Sequence, residues 1–120
     1  MARRCGRPGR LEVKRGDLVT VSLPGDYGKP RPALLIQSDL FNEHPSASVL
    51  PVTGELRELP LLRVTVEPDK QNGLKKISQV MVDKVQTVSR HRLGAVIGRL
   101  SPDTLLAVER RLVLFLGLGG

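Results

Sequence analysis

A chain of 120 residues with 40% hydrophobic and 26% charged residues has the size and composition of one soluble domain with a single core. No apolar run approaches the ~20 residues that span a bilayer, the start MARRCGRPGR lacks the apolar centre of a secretory signal, and the lone Cys5 excludes an intramolecular disulfide, so a cytoplasmic protein is expected. The net charge of +7 is uneven: residues 1–15 carry Arg3, Arg4, Arg7, Arg10, Lys14 and Arg15 against Glu12, leaving only +2 for the remainder, which argues against a general polycation.

Residues 1–14, rich in Gly, Pro and Arg, read as a disordered basic arm, and residues 15–120 as the single domain. After Gly16, the β-branched run 18–23 is a strand. Residues 24–28 form a loop, followed by Lys29-Pro30-Arg31-Pro32, in which each proline fixes its own φ and biases its predecessor toward extended backbone. This makes a stiff lead-in to an apolar strand over 33–37, which reads as covered on both faces. Ser38 and Asp39 cap a single turn through Leu40 and Phe41. A strand over 48–53 follows, and its Pro51, lacking a ladder donor, argues for an edge or a bulge.

The clearest alternation lies in Leu62-Arg63-Val64-Thr65-Val66-Glu67, a half-buried strand. Residues 68–73 supply a turn, residues 78–88 one long strand or two short ones, and residues 95–98 a further short strand. Ser101 as N-cap, Pro102 at the first helical position and Asp103 in the first turn announce a helix. It presents Leu105, Val108, Leu112 and Phe115 on one face and ends near Gly117. The apolar run 112–116 exceeds what one face needs. Short strands with one terminal helix predict a mainly β fold, a small antiparallel barrel or curved sheet capped by that helix.

The sequence holds no clustered Cys/His set, phosphate-binding loop or dinucleotide fingerprint, so neither metal nor cofactor is expected. His44 and His91 read as solvated loop residues, although imidazole is the commonest acid-base group. What remains is Arg31 at the mouth of one strand and Thr53 at the end of another. Should the barrel bring them together, a guanidinium and a hydroxyl would face a phosphodiester, which suits RNA cleavage by the neighbouring 2′-hydroxyl. Spacing alone favours the plainer reading, with Arg31 paired to a carboxylate and Thr53 an ordinary strand residue. Tyr27 could stack on a base or pack on the domain, and Lys75 and Lys76 could track a backbone or sit solvated.

The segments RGDLVTVSLPGDYGKPRPALLIQSD (15–39), SVLPVT (48–53), SQVMVDKVQTVSRHRLG (78–94) and the final helix resemble, in order, the MazF/PemK family of toxin endoribonucleases. The resemblance implies an SH3-like barrel of the CcdB/MazF type, a homodimer, and single-stranded RNA bound in a groove at the interface. It implies cleavage without metal, leaving 2′,3′-cyclic phosphate and 5′-hydroxyl ends, and inhibition by a cognate antitoxin whose C-terminal segment occupies the RNA site. Arg31 and Thr53 match the family's catalytic pair. Tyr27, Lys29, Lys76, Ser78 and Lys84 are the candidate RNA contacts, with Asp26 in a supporting role where some relatives place a glutamate. Lys84 follows Asp83 where many relatives carry glutamine, and Gly54 stands where serine often follows the threonine, so base preference does not transfer. The rival from another class is a non-catalytic SH3-like module that binds nucleic acid or protein, or a gyrase-poisoning toxin of the same fold.

Overall fold

The computed structural model describes residues 13–22 and 29–119; most of the basic arm, together with Asp26 and Tyr27, lies outside them. Seven strands precede one helix: β1 (Asp17–Ser22), β2 (Pro30–Leu35), β3 (Ser46–Thr53), β4 (Arg63–Val66), β5 (Ser78–Met81), β6 (Gln86–Ser89), β7 (Leu93–Arg99) and α1 (Pro102–Leu116). All pairings are antiparallel. The strands run β4-β5-β3-β2-β1-β7, with β6 joined to β3. This is the mainly β, helix-capped architecture expected from the sequence.

β3 organises the sheet. Its first half pairs with β6 from Ser46↔Ser89 to Val49↔Gln86, its middle with β2 through Leu35↔Val49 to Ala33↔Pro51, and its end with β5 at Val52↔Val80 and Thr53↔Gln79. Pro51 therefore lies in a central strand and not at an edge. It is tolerated because it sits where the β2 ladder stops and the β5 ladder starts, a place where one missing N–H interrupts no continuous run. The stretch 78–88 resolves into two strands separated by a 3-10 turn at Val82–Lys84, so β5 serves one end of β3 and β6 the other.

Successive residues alternate between two cores. Leu18, Leu34, Leu50, Val52, Val64, Val66, Val80 and Val82 pack with Leu100 and Val108 beneath the helix, while Val21, Ala33, Leu35, Ala47, Val49 and Val88 form a second cluster on the opposite face. Ala33, Leu34 and Leu35 are all fully buried, as the unbroken apolar run predicts. Each such Leu or Val contributes about 1.5–3 kcal/mol on burial.

The helix begins as the sequence announces. Ser101 Oγ accepts from Thr104 N at 3.2 Å, Pro102 opens the first turn, and Gly117 closes the helix with φ 71°. It rests on β4 and the Val82–Lys84 turn and is tied to the segment just before β1 by the Arg15–Glu109 ion pair. Leu105, Val108 and Leu112 face the core. Phe115 does not: it is 44% exposed.

Candidate active site

β2 differs from its expectation in a way that defines the site. The strand begins at Pro30, so Arg31 lies inside it, paired through Val21↔Arg31 to β1. Prolines are tolerated there because their carbonyls still accept, and because on the other side the β3 ladder begins only at Ala33. That ladder ends at Ala33↔Pro51, but alternation along each strand keeps Arg31 on the side of Ala33 and Thr53 on the side of Val49, both members of the second core cluster. Arg31 and Thr53 thus extend the face of the second core cluster, starting where its apolar residues run out.

Both residues line a cavity of about 760 Å³, within the range of ligand-binding clefts. Its apolar wall includes Pro32, Pro51, Leu74 and Ile97, and its polar lining includes Ser78 and Gln86. Lys75, Lys76 and Lys84 join Arg31 there, and among the described residues no carboxylate lines it. Four cations around one concavity attract a polyanion. Asp83 reaches Lys84 at 3.8 Å, but the Lys84 side chain is 58% exposed, so this pair binds the lysine weakly.

Local bonding orients the candidate hydroxyl and the loops around it. Thr53 Oγ1 accepts from Glu55 N at 3.0 Å, an interaction that leaves the hydroxyl proton to be donated elsewhere. The loop beyond is held by buried Gln79, whose Oε1 accepts from Arg57 N at 3.0 Å and Arg63 Nη1 at 2.9 Å, while its Nε2 donates to Arg57 O and Thr65 Oγ1. On the facing side Ser78 Oγ donates to Lys76 O at 2.9 Å. A Cβ at Gly54 would lie 2.5 Å from Lys76 Cε and 2.9 Å from its Nζ; the missing side chain is the space in which the end of Lys76 packs against Gly54.

Lys75 and Lys76 follow a tightly built loop. Asp69 Oδ1 accepts from Gln71 N and Asn72 N, and Asn72, buried, accepts from Asp69 N and Leu74 N and donates to Glu67 O. The loop presses on β7: a Cβ at Gly98 would stand 2.4 Å from the Asn72 carbonyl carbon, and one at Gly73 2.3 Å from Ile97 O.

Of the residues expected to act, Arg31, Thr53, Lys76, Ser78 and Lys84 converge on this cavity. Lys29 is exposed and is not part of its lining, because it precedes the paired segment of β2. Asp26 and Tyr27 fall outside the described residues. His44 and His91 lie elsewhere on the surface, and His44 Nδ1 accepts from Ser46 N at 3.1 Å. Among the described residues no group of three or more His, Cys, Asp or Glu could hold a metal ion, and no helix is long and apolar enough to cross a membrane. Gln79, Asn72 and Gln86 escaped the sequence reading.

A small antiparallel barrel with a cationic cleft at the strand ends defines a class, and comparison identifies it. The family described as PemK-like, MazF-like toxin of type II toxin-antitoxin systems matches residues 14–116, and the chain belongs to that family. It is 42% identical over 109 residues, 90% of this chain and all of the relative, to a protein of Mycolicibacterium smegmatis named "Probable endoribonuclease MazF". Among solved structures, the Mycobacterium tuberculosis toxin MazF-mt6 superposes with TM-score 0.74 at 28% identity, covering 87% of this chain and 99% of that one. The MazE-MazF structure from Deinococcus radiodurans gives 0.73 at 25% identity, covering 92% and 100%.

Proposed function

We propose that this chain is the endoribonuclease toxin of a toxin-antitoxin pair, cutting single-stranded RNA in the cytoplasm without a metal ion. The observation that carries this reading is that Arg31 and Thr53 line one cleft whose charged lining residues are all positive among the described residues. The endoribonuclease name of the M. smegmatis relative supports it.

In this reaction the 2′-oxygen of one ribose attacks the adjacent phosphorus and the bond to the 5′-oxygen breaks. The fragments end in a 2′,3′-cyclic phosphate and a 5′-hydroxyl, and the proton lost by the nucleophile is balanced by the one gained by the leaving oxygen. Negative charge grows on the non-bridging oxygens in the transition state. The Arg31 guanidinium is a planar fork suited to them, and the Thr53 hydroxyl adds a donor already oriented by Glu55 N. Lys75, Lys76 and Lys84 hold flanking phosphates in the ground state. DNA lacks the nucleophile and binds without being cut.

The antitoxin is an acidic partner whose segment competes for the same cleft, a reading supported by the family description and by the MazE-MazF structure. The active species is a homodimer; the exposed Val113, Leu114, Phe115 and Leu116 form an apolar helix end fitted to a second subunit. The deciding experiment incubates RNA with the protein in excess chelator and maps the fragment ends. Cyclic phosphate and 5′-hydroxyl termini are expected. Tight RNA binding with no cleavage would instead identify a non-catalytic module of the same fold.

A further inference from the structure

Resting on that nuclease reading, we propose that Gln86 is the residue that reads a base beside the cleaved bond. The cleft has two tasks, to hold a backbone that every RNA shares and to tell one sequence from another. Its cations serve only the first, because phosphates carry no sequence. Base stacking is sequence-tolerant, and no aromatic ring is among the described lining residues. Discrimination then falls to neutral polar side chains.

Three such side chains line the cavity: Thr53, Ser78 and Gln86. Thr53 accepts from Glu55 N and lines the cleft with Arg31, which assigns it to the phosphate. Ser78 is buried and donates to Lys76 O. Gln86 is half-buried, and its amide has no hydrogen-bond partner among the described residues.

The register gives its place. Gln86 pairs with Val49, and Val49, Pro51 and Thr53 alternate onto one face of β3. Gln86 therefore shares the face of Thr53, four residues or about 13 Å away along the strand at ~3.3 Å per residue. That separation takes it off the reacting phosphate and sets it against a neighbouring nucleotide. A carboxamide presents one acceptor beside two donors, the pattern that pairs in bidentate fashion with a base edge such as that of adenine, and single-stranded RNA leaves those edges open.

The test maps 5′-hydroxyl ends across a long mixed-sequence RNA cut in chelator by the parent, Gln86→Ala and Gln86→Glu. It also measures the affinity of each for oligonucleotides bearing a 2′-deoxy group at the scissile position and each of the four bases at the flanking one. The parent is expected to favour one base there by roughly 10- to 100-fold, the range of a good bidentate contact. In Gln86→Ala that ratio collapses toward unity while poor sequences are cut at the parent rate. Gln86→Glu, of nearly the same shape but with acceptors only, shifts preference toward a base edge that offers two donors, as guanine does. A purely structural role would lower the melting temperature and slow all sequences alike, overturning the proposal. So would a base profile unchanged in both variants. A parent that cuts no RNA overturns the nuclease reading and this inference with it, whereas a parent whose preference survives Gln86→Ala overturns this inference alone.

Discussion

Arg31 and Thr53 share a face, yet substitution should separate their ground-state and transition-state roles. Arg31→Ala is expected to slow single-turnover cleavage by about 10²-fold or more, the typical cost of removing a donor aimed at developing charge. Affinity for an uncleavable 2′-deoxy analogue should change far less, because the lysines share that contact. Arg31→Lys restores charge without the planar fork and should rescue poorly. Thr53→Ala should also slow the reaction, whereas His44→Ala and His91→Ala should cut at the parent rate, since neither imidazole borders the cleft. An Arg31→Ala protein that folds and cuts normally would move the chemistry elsewhere. Gly54→Ala probes the same ground from another side. The new methyl group displaces the Lys76 ammonium, so it should weaken RNA binding by about as much as Lys76→Ala does, with little further loss when the two are combined.

At the scale of elements, the loop from Asp69 to Leu74 works as a fixed bracket for Lys75 and Lys76. Asn72→Ala leaves two backbone N–H groups and the Glu67 carbonyl without their partner and should cost about 1–3 kcal/mol, read as a lower denaturation midpoint. Gly98→Ala should be worse, because its Cβ meets main-chain atoms of residues 71 and 72 that cannot rotate away. Most of the elements were legible in the sequence because their signals are local: the Ser101-Pro102 cap, the alternation in β4, the buried run of β2. That Arg31 and Thr53 line one cavity was not legible from spacing, because it depends on how separate segments pair and no local pattern encodes that. Pro51 misled for the same reason, since a missing donor reads as an edge until the neighbours on both sides are known. Gln79 was invisible because its partners Arg57, Arg63 and Thr65 lie 14–22 residues away, whereas Asn72 bonds only residues within its own loop and reads in the sequence as an ordinary turn residue.

At the scale of the whole molecule, the cleft and the exposed helix end make separate predictions. Affinity for the uncleavable RNA should fall linearly with the logarithm of salt concentration, and each of Lys75→Ala, Lys76→Ala and Lys84→Ala should reduce that slope by about 0.7, the contribution of one single-strand phosphate contact. An unchanged slope in all three would remove these lysines from the RNA path. Leu114 is 60% exposed, so Leu114→Asp should leave the barrel folded. If the helix end is covered by a second copy, the variant should sediment as a monomer where the parent sediments as a dimer.

The shared position of β3 also bears on when the protein becomes dangerous to the cell that makes it. Thr53 is synthesised early, but the strand that carries it is flanked by residues 78–81 and 86–89, and β1 is completed only by residues 93–99. Arg31 lies on β2, whose neighbours β1 and β3 are both made early, but the strands that complete β3 and β1 on their other sides arrive only with residues 78–99, so the sheet that carries the cleft is whole only when almost the entire chain has been made. At ordinary elongation rates of about 5–20 residues per second, the chain spends most of its own synthesis without that complete sheet.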